Sequence, residues 1–485
     1  MPRGNRETSR AGTSLGLRLA EKSAIRDKVT SEMIVSFSVE NFRSFHAQAT
    51  LSLIASNQLA GEHGNHAVAV SGTSARVLRT AVIYGANGAG KSNLFKALDY
   101  LRSLALPVYR DRESTGREAF RFGGTQDDPS SFDLQFIANG KVYRYVIKVD
   151  DRQVLEEWLV EDSDNGERDI FKRGRKRDVV LGSHVREYPR LAALATVGAP
   201  PTQSFLSAVA AAALPADDIG PDLTSAIDWF ASVLNLIPPG LSPMPLWFKL
   251  NEDPTLLDFA SDFLRSSSTG VDRLEIIKSE ISREELSNFV GEQRAIQLVQ
   301  EAESGRRRFV RALRVDGDVW IEVFGSDGFR LVRFQAAHKT QDGDTVNLDL
   351  DDESDGTRRL LDLLPALHQM QTQGGVYFVD EIDRSMHPIL ARRLLEFFLA
   401  SCGESAGQMI LTTHESSLLD LDLLRRDEIW FAEKDHEQAT RLYSLADFKV
   451  RNDLEIRKHY LQGRFGAIPF LGSLDRIMIG TDETA

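Results

Sequence analysis

The chain has 485 residues, 42% apolar and 27% charged, with a net charge of −13. That is folded, globular composition and excludes extensive disorder; at about 150 residues per domain it leaves room for roughly two to four units. The single cysteine, Cys402, excludes a disulfide framework within the chain and any metal site built on paired cysteines. The longest strongly apolar stretch, AVAAAALP at 208–215, falls far short of the ~20 residues that span a bilayer, and no signal-peptide pattern follows Met1. The expectation is a cytoplasmic protein without membrane contact. An acidic chain does not coat nucleic acid with its whole surface, so any such contact would be local or made by a partner.

Residues 1–32 carry seven Arg/Lys against four Asp/Glu and few large apolar side chains, which reads as a flexible extension. Ordered pattern begins at Met33. IVSFSVENF (34–42) alternates as a strand, with Val35, Phe37 and Val39 against Ser36, Ser38 and Glu40. ATLSLIA (49–55) reads as a second strand, and VLRTAVIYG (77–85) as a buried strand ending in glycine. Two alternating runs across 131–149 flank Asn139-Gly140, a hairpin signal, and a further strand pair is predicted between Gln153 and Asp178. From about 190 to 310 helical patterns dominate. Strand pattern returns at 319–324 and 329–335. An α/β alternation then predicts a helix after 357, a strand at 376–380, a helix at 388–400 and strands at 408–413 and 428–432. These shifts divide the chain into an extension (1–32), an N-terminal lobe (33–189), a helical insertion (190–310) and a C-terminal lobe (311–485).

GANGAGKS at 85–92 fits G-x-x-x-x-G-K-[ST] at every position, between an apolar strand and a helix whose Leu94, Leu98 and Leu101 share one face. Gly85, Gly88 and Gly90 let backbone N–H groups converge on phosphate oxygens. The helix start adds partial positive charge. Lys91 reaches the β- and γ-phosphates, and the Ser92 hydroxyl can ligate Mg²⁺; Asn87 and Asn93 complete the nucleotide-binding candidates. In VYFVDEID (376–383) a buried strand presents Asp380 as the metal-side carboxylate and Glu381 one residue further, where it can polarise a water. QMILTTHESSLLD (408–420) repeats the strand-then-polar-tip design, and His414 reads as a switch that senses the γ-phosphate. DDESDGTRRLLDLL (351–364) starts a helix at Ser354-Asp355-Gly356; by itself this reads as an N-cap, and a serine with backbone N–H groups at a helix start can also form an anion site.

ENFRSF (40–45), the phosphate loop, ESDGTRRL, VDEIDRSMHP (379–388), TTHESSLLD and YLQGRFGAIPF (460–470) follow one another in an order that resembles the ABC-like, AAA-type ATPases of bacterial abortive-infection and anti-phage systems, relatives of the RecF/SMC/OLD clan. The resemblance covers roughly Met33 to Leu471. It implies an α/β P-loop NTPase of ABC-ATPase head type, with a β-rich N-terminal lobe and a helical insertion between the Walker A and signature motifs. It further implies ATP and Mg²⁺ as cofactors and a head dimer, or a higher homo-oligomer, in which the signature loop of one protomer covers the γ-phosphate bound by the other. Ser354 and Gly356 fall on the signature positions, written SDG rather than SGG. Asp383 matches the D-loop position, His414 the switch histidine, and Arg43 a position that approaches the nucleotide. Gln126 and Gln135 are both candidates for the Q-loop glutamine.

The long coiled-coil arm of SMC heads is absent from the pattern. Only about 70 residues follow His414, too few for the appended nuclease domain of OLD-type proteins. Destructive activity is therefore expected in a separate effector, a nuclease or toxin. KRGRKR (172–177) and GRRRF (305–309) are the two basic clusters; in a chain this acidic they read first as a solvated hairpin tip and a helix end, and otherwise as contacts to a phosphate backbone. Two other readings remain: a RecF-like ATPase that clamps DNA, and a slowly hydrolysing, ATP-loaded scaffold that traps a partner protein.

Overall fold

The computed structural model describes residues 32–468, apart from 71–74, 108–112, 165, 176–177, 241–249, 252, 304–307, 315–316, 325–327, 402–406 and 451–454. The expected N-terminal extension up to residue 31, and Cys402, lie outside the described residues.

A six-stranded sheet occupies the centre, in the order Leu234–Ile237, Gly375–Val379, Gly407–Thr413, Thr80–Tyr84, Ile429–Lys434, Thr440–Ser444. The first five strands run parallel and the last antiparallel. Alternation along the strands feeds two separate cores. Ala81, Ile83, Val376, Phe378 and Ile410 pack with the helix Lys91–Ala105 and the N-terminal lobe. Val82, Tyr84, Tyr377, Val379, Met409 and Leu411 pack with the helices Asp355–Thr372 and Pro388–Ser401. The strand that follows the carboxylate strand thus lies between it and the phosphate-loop strand. The carboxyl ends of all three open on one edge, which is where ligands bind in open α/β sheets.

The N-terminal lobe is a seven-stranded antiparallel sheet, in the order Val179–Leu181, Arg168–Arg173, Val154–Asp162, Lys141–Val149, Ser130–Ala138, Met33–Glu40, Ala49–Ser52. The predicted hairpin turns at Asn139 and Gly140, with φ of 49° and 76°, the left-handed pair that a tight hairpin demands. The β-rich reading of this lobe matches what is observed.

The stretch 190–310, expected as helical, is mixed. Helices Pro189–Val197, Phe205–Ala211 and Pro221–Asp228 pack into the core shared with the N-terminal lobe. Leu234–Ile237 then joins the central sheet beside Gly375–Val379. Val271–Glu280 and Arg308–Arg314 belong to a five-stranded antiparallel sheet with Gly317–Phe324, Gly328–Lys339 and Thr345–Asp349. The reason for the mismatch is local. Val271, Leu274 and Ile277 recur at helical spacing, and an irregularity in pairing between Val271 and Arg273 breaks the two-residue alternation. Helices Arg283–Val290 and Glu292–Glu303 accompany this sheet, with Leu286, Leu298, Ile321, Val323 and Phe329 forming a small core of their own. Among the described residues no helix is long and apolar enough to cross a membrane.

Candidate nucleotide site

Thr80–Tyr84 is buried throughout and ends at Gly85. A side chain at Gly85 would stand 2.4 Å from the Ala432 carbonyl oxygen, so the loop can leave the sheet here only as glycine. Gly90, at φ 107°, starts the helix; a Cβ on it would meet Thr440 Oγ1 at 2.0 Å. Thr440 Oγ1 donates to Ala89 O at 2.9 Å and lies 2.8 Å from Ser44 Oγ, which accepts from Asn93 Nδ2 at 2.8 Å. Two residues that the motif does not contain therefore hold the loop in shape. Ser44 lies within the ENFRSF run, but nothing local to Thr440 announces its role.

The loop lines a cavity of about 450 Å³ with Asn87, Gly88, Gly90, Lys91, Ser92 and Asn93 on one side and Glu381, Asp383, Arg384 and His414 on the other. Lys91 Nζ donates to Gly85 O at 2.7 Å and Ala86 O at 3.2 Å, and lies 3.1 Å from His414 Nδ1. Burial lowers the Lys91 ammonium to about 8, against the opposing pull of Asp383, Asp380 and Glu381. Partial burial and then the Lys91 charge push His414 below its ordinary value, so its ring is neutral and can accept from Lys91.

Asp380 is 1% exposed. Its Oδ1 accepts from Ser92 Oγ at 3.2 Å and from Thr412 Oγ1 at 2.5 Å. The same Thr412 hydroxyl accepts from Glu381 N at 2.8 Å, so one threonine fixes both carboxylate residues. The clue was its place two residues before His414. Glu381 holds a φ of 51°, a left-handed conformation that costs a non-glycine residue about 1–2 kcal/mol. It points its carboxylate into the cavity, 3.8 Å from Arg384 Nη1. Asp383 accepts from His414 N at 3.2 Å through Oδ2. It ties the carboxylate turn to His414 within one chain.

Several expected site residues stand elsewhere. Ser354 caps the helix Asp355–Thr372, accepting from Thr357 N at 3.1 Å; it is exposed, and neither it nor Gly356 lines the cavity of its own chain. Arg43 pairs with Glu118 rather than facing the cavity. Gln126 reaches back to Arg121 O, and Gln135 accepts from Ser36 Oγ within the N-terminal lobe, so neither glutamine reaches the site. The first basic cluster is not a continuous patch. Arg173 is buried at 2% exposure, 3.7 Å from Glu157, and Lys172 pairs with Asp169. Residues 176–177 and 305–307 lie outside the described residues.

Comparison with known proteins decides the family. A family profile described as "AAA domain, putative AbiEii toxin, Type IV TA system" matches residues 81–420. The chain belongs to this family. It is an AAA-domain protein with an α/β P-loop fold. Among proteins of curated function none matches. Solved structures similar to the chain include an SMC head bound to the C-terminal winged-helix domain of ScpA, at 13% identity and a TM-score of 0.38, covering 85% of this chain and 97% of that one. The SMC head domain from Thermotoga maritima follows at 12% and 0.36, covering 85% and 98%.

P-loop ATPases of this kind bind ATP with Mg²⁺. Ser92 Oγ and Asp380 Oδ1 are hard oxygen donors at one point beside the phosphate loop, and they suit an ion that takes its other ligands from water and phosphate. Among the described residues no larger cluster of His, Cys, Asp or Glu competes for a metal.

The depressed Lys91 value has a measurable consequence. Phosphates stabilise the ammonium, so nucleotide binding raises its pKa from about 8. A group raised by its ligand takes up a proton in the window between the free and bound values. Binding should therefore draw in almost no proton at pH 7 and approach about one at pH 9. Calorimetric titration in two buffers of different ionisation heat measures this directly. An uptake that stays flat above pH 8 contradicts the assignment.

Proposed function

We propose that the protein is an ATP-hydrolysing molecular switch that dimerises around two ATP molecules and controls a separate effector, a nuclease or toxin, in anti-phage defence. The observation that carries this reading is a separation. The phosphate loop, the carboxylate turn and His414 line one cavity, whereas the Ser354 loop is exposed at a helix start on the same chain. A helix start with free N–H groups is an anion site, and a second copy arranged head to tail would bring one to each cavity. The family description supports the defence role.

In this mechanism the phosphates draw Lys91 Nζ away from His414, and the freed imidazole turns to the γ-phosphate. Ser92 and Asp380 would hold Mg²⁺, which would supply neutralisation of phosphate charge. Glu381 accepts a proton from the attacking water as its oxygen bonds to phosphorus and the bond to the β-side oxygen breaks. Asp383 carries the change to the switch loop through His414 N. Opening after release of phosphate passes the signal to the effector.

A mixing experiment tests the arrangement. Ser354→Arg puts bulk and charge in the interface but leaves its own phosphate loop intact, so this variant should bind ATP and fail to hydrolyse it. Mixed with Lys91→Ala chains, one composite site carries both defects and the other carries neither. The mixture should recover up to about half the activity per dimer if sites act independently. Subunit exchange shown by mass measurement, without recovery above both parents, removes independent trans sites. Normal hydrolysis by Ser354→Arg alone removes the signature assignment.

A further inference from the structure

Arg359 is buried at 5% exposure, one turn beyond the Ser354 cap on the helix Asp355–Thr372. Its Nη2 donates to Asp380 O at 3.4 Å, while Nε and Nη1 find no acceptor. The charges that act on it are Asp362, Arg384, Glu381 and Asp380. A guanidinium taken out of water with two nitrogens unserved weakens a fold rather than supporting it. Its placement suggests another use.

The carbonyl it holds belongs to the peptide group between Asp380 and Glu381. The N–H of that same group donates to Thr412 Oγ1 at 2.8 Å. Arg359 and Thr412 thus grip one peptide plane from opposite edges. Rotation of that plane changes the left-handed φ of Glu381 and swings its carboxylate. Five residues separate Ser354 from Arg359, about 7.5 Å along a rigid helix, so a shift of the helix start reaches Arg359 undiminished.

We propose that Arg359 is the positioning residue through which engagement of the Ser354 loop at the other protomer's nucleotide sets the Asp380–Glu381 turn of its own chain. The inference rests on the head-to-tail dimer proposed above. It links the two sites of that dimer: each protomer readies its own base when its signature helix meets the nucleotide opposite.

Arg359→Met and Arg359→Gln test it. Both should bind ATP with affinity within about twofold of the parent. The Met variant should melt at the same temperature or higher, because it removes an ill-served buried charge. On a Glu381→Gln background both should still dimerise with ATP. With Glu381 intact, kcat should fall about tenfold to a hundredfold with KM little changed, the scale of a misaligned reactive group. Parental kcat in either folded variant overturns the relay. A clear drop in melting temperature in both, or loss of ATP binding, assigns Arg359 to structural support and overturns it as well. A Glu381→Gln parent that stays monomeric with ATP removes the dimer, and with it the relay; a dimerising parent with fully active Arg359 variants removes the relay alone.

Discussion

Lys91→Ala should lose ATP binding by about 100-fold or more, the scale of about 3 kcal/mol for removing one partner of a buried, hydrogen-bonded charge pair. Lys91 is the one cation of the loop that reaches the cavity from the phosphate side, and its ammonium already spans Gly85 O, Ala86 O and His414. No neighbour replaces it. Arg384 enters the cavity from the opposite wall and faces Glu381. The helix face made by Leu94, Leu98 and Leu101 is untouched, so the variant should remain folded. Calorimetric titration with ATP at pH 7.5, with a thermal melt as control, reads both. Unchanged affinity in a folded protein would remove Lys91 from the phosphate site.

Glu381→Gln should bind ATP normally and hydrolyse it at least ~100-fold slower, as expected when a positioned base loses its basicity. The substitution keeps the side chain's length and leaves the backbone bond from Glu381 N to Thr412 intact. The turn therefore keeps its shape, and what disappears is the proton acceptor together with the ion pair to Arg384. Hydrolysis would stall with the triphosphate in place, and the proposed dimer should accumulate. A phosphate-release assay and mass measurement with and without ATP give the two readouts. Parental turnover would take the base role from Glu381.

The phosphate loop, Asp380, Glu381 and His414 could be read from the chain because each is announced by neighbours in sequence: an apolar strand, then a polar tip. The central sheet was readable for the same reason. What supports those tips was not. Ser44, Thr412 and Thr440 are ordinary hydroxyl residues whose partners lie tens to hundreds of positions away; Ser44 and Thr412 sit beside motif residues, but their neighbours do not say what they brace, and nothing local marks Thr440 at all. Arg43 shows the converse. Its motif placed it by the nucleotide, yet a nearer carboxylate, Glu118, holds it. In the insertion, short apolar spacings at Val271, Leu274 and Ile277 imitate a helix, and only pairing with Gly328–Lys339 makes them a strand.

The strand that leads into the phosphate loop, Thr80–Tyr84, has both edges covered by strands made far later, Gly407–Thr413 and Ile429–Lys434, and the loop itself is latched by Thr440. On the ribosome this means that the motif is translated early and becomes a nucleotide pocket last. The emerging first lobe can build its antiparallel sheet, but its most apolar strand must wait unpaired while more than three hundred further residues are added, a long exposure in which sticky β-segments call for chaperones. A product cut short before Gly407 holds the entire Walker A sequence but should lack the strands and the His414 wall that complete the pocket. Competence to bind ATP should thereby be confined to chains synthesised through their last sheet strand, with premature fragments silent.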